Sequence, residues 1–101
     1  MKDYFVYILE CSDESYYTGV TNNIDRRIAE HNSGTIKGYT SKRLPVKLVF
    51  SERFLDINDA IRFEKQVKGW RSNKKEALIS GDFDLLVKLS NKKNNINLMS
   101  H

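Results

Sequence analysis

With 101 residues, 40% of them hydrophobic and 30% charged, the chain has the make-up of one folded domain with a modest core. No apolar run approaches the ~20 residues of a membrane span, which excludes a membrane-spanning helix. The net charge of +4 suits a polyanionic partner, and the single cysteine, Cys11, excludes an internal disulfide and suits a reducing cytoplasm as a packed, inert thiol.

Met1-Lys2-Asp3-Tyr4 leads straight into a strand-like run without a signal-peptide pattern, so a cytoplasmic protein is expected. Residues 4–10 are β-branched and aromatic and read as a central strand covered on both faces. Ser12 to Ser15 is turn chemistry, and Tyr16 to Thr21 returns as a second strand. Asn22 or Asn23 caps a helix that carries Asp25 in its first turn, runs to Asn32 and stops at Gly34. A loop rich in Gly, Thr, Ser and Lys spans 33–45 and ends at Pro45, and Val46 to Phe54 is a third strand. A second helix starts at Asp56 or Asn58 and runs to about Lys68, with Ala60, Phe63, Val67 and Trp70 as its apolar stripe. Ser72 caps a third helix ending at Gly81, and Asp82 begins a turn-rich segment with Leu85, Leu86 and Leu89. Residues 91–101 are polar and asparagine-rich and are expected to be frayed or disordered. The order β-β-α-β-α-α predicts an α+β fold: a small, largely antiparallel three-stranded sheet flanked by helices. Residues 2–80 form the expected domain and 81–101 a C-terminal extension.

Several side chains fall where chemistry is possible. Tyr7 and Tyr17 occupy the first two strands, where tyrosines are core aromatics by default. They share a sheet face only if paired residue numbers sum to an even value. A four-residue loop at 12–15 gives an odd sum, so an odd-length loop or a bulge is expected. On the first helix, His31 falls about 20° and Arg27 about 60° from Ile24 around the axis, while Arg26 faces water. Arg27 is then either an ion-pair partner of Asp25 or Glu30, or a phosphate ligand. His31 is either a structural histidine or a donor to a tyrosine or a phosphate. Glu64 lies among the apolar residues of the second helix, which is costly for a carboxylate unless it pairs with an Arg or Lys or binds a metal. Gly19 leaves room for a close approach. Lys65, Lys68, Arg71, Lys74 and Lys75 cluster within eleven residues and are candidates for nucleic-acid contact. Lys37, Lys42, Arg43 and Lys47 form a second basic group.

The run Phe5-Val6-Tyr7, then Tyr17-Thr18-Gly19, followed by Arg27, His31 and a helical Glu64, resembles the GIY-YIG nuclease domain over residues 2–80. It is most similar to the small single-domain bacterial members regarded as endonucleases. The two half-motifs are altered, and only the tyrosines and the glycine survive literally. The resemblance implies a metal-dependent endonuclease that hydrolyses DNA, with repair or recombination as its setting. It implies Tyr7 as the base, Tyr17 as its helper, Arg27 on the phosphate, His31 on the tyrosine or the phosphate, and Mg2+ or Mn2+ on Glu64. No small-molecule cofactor and no membrane are implied, and RNA remains open as a substrate. Two positions depart from the family: Val20 stands where some members have lysine, and Asn73 is closer to Glu64 than the usual asparagine. The alternative reading is a nucleic-acid-binding module that keeps the fold without cutting.

Overall fold

The computed structural model describes residues 2–90. Contacts divide the chain into two compact units, Met1–Gly69 and Trp70–His101. The first holds the sheet. β1 (Tyr4–Glu10) lies between β2 (Tyr16–Thr21) and β3 (Lys47–Phe54), and both pairings are antiparallel. Val6, Tyr7, Ile8 and Leu9 of β1 are all buried, as a central strand of alternating large side chains requires.

The hairpin between β1 and β2 settles which side chains share a face. Ser15 C=O accepts from Cys11 N–H at 2.8 Å, and Cys11 C=O accepts from Glu14 N–H at 2.9 Å, leaving a three-residue loop, 12–14. Glu14 takes a left-handed conformation with φ of 68°, which rejoins the chain to β2. The odd-length loop sets Tyr7 opposite Gly19 and Leu9 opposite Tyr17. Both tyrosines therefore stand on one face of the sheet.

α1 (Ile24–Asn32) is capped by Asn23, whose side chain accepts from Arg26 N–H. Its Ile24 and Ile28 lie against Tyr7, Leu9, Cys11 and Val46, so α1 covers the tyrosine face. The buried Cys11 thiol has its pKa raised by desolvation, as an inert core thiol should. α2 (Ile57–Lys68), capped by Asp56, covers the opposite face. Its Phe63 ring lies 5.5 Å from Phe54, which pairs with Tyr4 on the Val6–Ile8 side. The register of β3 shifts between Ile8 and Leu9, whose partners are Phe50 and Leu48, so Val49 is the extra residue of a bulge.

Four expectations need correction. β3 begins at Lys47 rather than Val46, because the Val46 backbone is bonded by the Asn32 side chain instead of a strand neighbour. α2 ends at Lys68 with Gly69 as its C-cap, so Trp70 is not on its stripe. In the second unit, α3 (Ser72–Ser80) takes Arg71 as N-cap without a side-chain bond, and Ser72 is already its first helical residue. Gly81 closes α3 in the left-handed conformation, and residues 83–90 form a further helix rather than a series of turns. The architecture is thus α+β, with a three-stranded antiparallel sheet and four helices among the described residues. The tail 91–101, expected to fray, lies outside the described residues. No helix among them is long and apolar enough to cross a membrane.

Candidate active site

The tyrosine face carries a buried cluster of polar rings. Tyr7 is 1% exposed, and its hydroxyl lies 3.1 Å from His31 Nε2. His31 is equally buried because the phase of α1 turns it toward the sheet. Its other nitrogen, Nδ1, lies 2.8 Å from the Thr40 hydroxyl in the 3-10 turn Thr40–Lys42. The Tyr17 ring lies 5.1 Å from the imidazole and 6.3 Å from the Tyr7 ring. It stacks on the exposed Tyr39, which in turn lies under the Arg43 guanidinium at 3.9 Å. Arg43 reaches Asp13 of the hairpin loop at 2.9 Å, tying the 33–45 loop to β1–β2.

Gly19 acquires a specific reason. A Cβ there would lie 2.5 Å from Tyr7 Oη and 2.7 Å from Cζ, closer than any real side chain tolerates. The glycine is the space in which the phenol of its cross-strand partner lies.

Arg27 is half-buried beside these rings. Its Nε is 3.2 Å from Glu30 Oε1, yet this buried N–H is not aligned on any acceptor. The positive charge of the guanidinium acts on both the Tyr7 phenol and the His31 ring. Arg26, one residue earlier, is exposed and donates to Asn22 Oδ1 at 3.1 Å. Burial pushes the Tyr7 phenol up to about 12, against the opposing pull of Arg27. Burial also lowers the His31 pKa, and the Arg27 charge lowers it further, so the imidazole is neutral at pH 7.

Glu64 is placed differently. It belongs to α2, on the other face of the sheet, and its side chain is 13% exposed. Lys68, one turn on, holds the carboxylate at 2.9 Å, and this contact raises the lysine's own pKa. Tyr17 also contributes, as the smallest cause, to the raised Lys68 pKa. Val20, where some family members have lysine, pairs with Val6 and so points to the α2 face, away from the tyrosines.

The basic candidates divide. Lys65 is exposed and Lys68 is engaged with Glu64 in the first unit. In the second, Arg71 is exposed, Lys74 lies 4.4 Å over the Trp70 ring, Lys75 is half-buried and Asn73 is exposed on α3. The structure thus brings Tyr7, Tyr17, Arg27 and His31 together on one face of the sheet, while Glu64 belongs to the helix on the other face. The sequence expectation missed Thr40 and Tyr39, and held Arg43 only as part of a basic group, because a loop without periodicity gives no signal of what its side chains face. The i, i+4 spacing of Glu64 and Lys68 was a readable sign of that ion pair.

Comparison with known proteins gives the family and agrees with the fold. The family profile described as the GIY-YIG catalytic domain matches residues 3–77. The UPF0213 protein of Natronomonas pharaonis is 44% identical over 80 residues, covering 79% of this chain and 94% of the relative. That of Clostridium perfringens is 45% identical over 94 residues, covering 93% and 98%. The solution NMR structure of the UPF0213 protein of Bacillus halodurans superposes with a TM-score of 0.52 at 46% identity, covering 77% of this chain and 83% of that one. An NMR structure of a protein from E. faecalis gives 0.57 at 36% identity, covering 84% and 90%. A catalytic domain of this kind implies nuclease-type function on a nucleic-acid substrate. The chain belongs to the GIY-YIG catalytic-domain family and, within it, is similar throughout its matched length to the UPF0213 proteins of bacteria and archaea.

Proposed function

We propose that this chain is a metal-dependent endonuclease hydrolysing phosphodiester bonds in DNA, with Tyr7, Tyr17, Arg27 and His31 at the reacting phosphate and Glu64 as the metal carboxylate. The observation that carries this reading is Arg27: a half-buried guanidinium beside a phenol, whose buried Nε–H, though paired by charge with Glu30, is aligned on no acceptor among the described residues. Such a donor matches an oxyanion such as a phosphate.

Tyr7 supports a relay rather than a standing phenolate, since its pKa near 12 leaves it protonated at neutral pH. It takes a proton from the attacking water while passing its own to the lone pair of His31 Nε2. The water oxygen bonds to phosphorus, the bond from phosphorus to the 3′ oxygen breaks, and that oxygen is protonated from solvent. Arg27 bears the charge that grows on the phosphate. Tyr17, half-buried against both rings, holds the cluster's outer side.

Glu64 fits a hard cation. Magnesium is commonly held by one or two carboxylates, with water and substrate phosphate filling the rest of its shell. Among the described residues no three His, Cys, Asp or Glu side chains gather, which suits such an ion better than a zinc-type cage. When bound, the ion supplies Lewis-acid charge at the phosphate, and Lys68 must yield its hold on the carboxylate. Lys65, Lys68, Arg71, Lys74 and Lys75 provide backbone attraction without base reading.

The second reading, a binding module that does not cut, is favoured by two observations: Lys68 already neutralises Glu64, and Tyr7 is almost wholly enclosed. One experiment separates them. Wild type, Arg27→Ala and Arg26→Ala are incubated with linear and branched DNA and RNA, in Mg2+ or Mn2+ and in EDTA. Metal-dependent cleavage that Arg27→Ala loses and Arg26→Ala keeps is expected. Binding without cleavage by the wild type under every condition, or equal losses in the two variants, contradicts the proposal.

A further inference from the structure

Thr40 is buried, and its hydroxyl lies 2.8 Å from His31 Nδ1, across the imidazole from the nitrogen that meets Tyr7. A neutral imidazole has one N–H and one lone pair, so the group at one nitrogen decides what the other can offer. The direction of the chain follows from the Arg27 charge, which attracts the negative end of the Tyr7 hydroxyl dipole. The phenol oxygen turns toward this charge, leaving the phenol's own hydrogen to point away from it. The partner at 3.1 Å is His31 Nε2, which must then be the bare nitrogen. Nδ1 carries the hydrogen, and Thr40 Oγ1, with two lone pairs, accepts it.

We propose that Thr40 is a positioning residue: it holds His31 in the Nδ1–H tautomer, so that the Nε2 lone pair faces the Tyr7 hydroxyl and can receive its proton. The consequence for cleavage rests on the nuclease reading above, whereas the tautomer is a property of the folded chain alone. When the proton moves from Tyr7 Oη to Nε2, the Nδ1–H···Oγ1 bond persists and needs no rearrangement. A threonine that merely filled space would be replaceable by valine, which has the same shape and no hydroxyl.

The test uses the full chain, whose only histidines are His31 and His101. Long-range 1H–15N correlation spectra of the imidazoles identify which nitrogen is protonated. They are recorded on wild type, Thr40→Val and Thr40→Ser, with melting curves to establish that each is folded. Wild type and Thr40→Ser should show His31 as the Nδ1–H tautomer, and Thr40→Val should lose it in favour of Nε2–H. Cleavage by Thr40→Val should fall about a hundredfold, the lower range of what general acid–base catalysis contributes, and serine should restore it. An Nε2–H tautomer in the wild type, or an unchanged spectrum in Thr40→Val, overturns the assignment. A changed tautomer with undiminished cleavage overturns the positioning role. If the wild type cuts no substrate, the nuclease reading falls, and the spectra still decide whether Thr40 sets the tautomer.

Discussion

Gly19 and Tyr7 form one unit, although they belong to different strands. The ring of Tyr7 fills the volume a side chain at 19 would need, and at 1% exposure it has nowhere to retreat. Gly19→Ala should therefore destabilise by about 1–3 kcal/mol, as overpacking does, despite the ~0.5–1 kcal/mol that alanine normally gains over glycine inside a strand. Denaturant unfolding measures the sign, and a more stable variant would mean the phenol lies elsewhere. His31 makes a pH prediction. Its pKa is lower in the fold than in the unfolded chain, so below about 6.5 the unfolded chain takes up the proton first. Stability is full above that pH and declines as pH falls from it toward the folded pKa. His31→Gln should flatten this part of a melting-temperature profile recorded from pH 7.5 to 5, and an unchanged slope would place the titration elsewhere. The inward phase of His31 and Arg27 was legible because Ile24 and Ile28 reveal the buried side of the helix. Thr40 was not legible, since a residue in a 3-10 turn follows no period that tells which way it faces.

At the scale of elements, the hairpin and the 33–45 loop decide what meets what. The parity argument on Tyr7 and Tyr17 required an odd loop, and the left-handed Glu14 supplies it. The loop's far end depends on one side chain. Asn32, the last residue of α1, accepts from Val46 N–H at 2.8 Å and donates to its carbonyl at 3.1 Å, imitating a strand neighbour. The sequence places Val46 in β3 because its apolar character continues the strand, whereas nothing in the spacing from 32 to 46 reveals that an amide has taken its backbone. Asn32→Ala removes two hydrogen bonds of about 0.5–1.5 kcal/mol each, so a loss of about 1–3 kcal/mol is expected in urea unfolding. A loss below about 0.5 kcal/mol would show that the tie adds nothing to closing this loop.

For the whole molecule, the net charge of +4 suits a polyanionic partner, and in the proposed function one carboxylate decides whether attraction becomes hydrolysis. From the sequence, Glu64 could be an ion-pair partner or a metal ligand, and the fold shows the first arrangement without excluding exchange for the second. The pair is lopsided: the Glu64 side chain is 13% exposed and Lys68 is 58% exposed. Replacing the carboxylate by an amide leaves a largely solvated ammonium, so the structural cost should be that of a surface pair, about 0–1 kcal/mol. Loss of function in such a variant cannot then be put down to unfolding. The decisive measurement is cleavage of the same DNA substrates by wild type and Glu64→Gln in Mg2+ or Mn2+, with melting curves recorded in parallel. Near-native melting with cleavage reduced to the level seen in EDTA is the predicted result. Cleavage by Glu64→Gln at the wild-type rate would contradict the assignment of this glutamate to the metal.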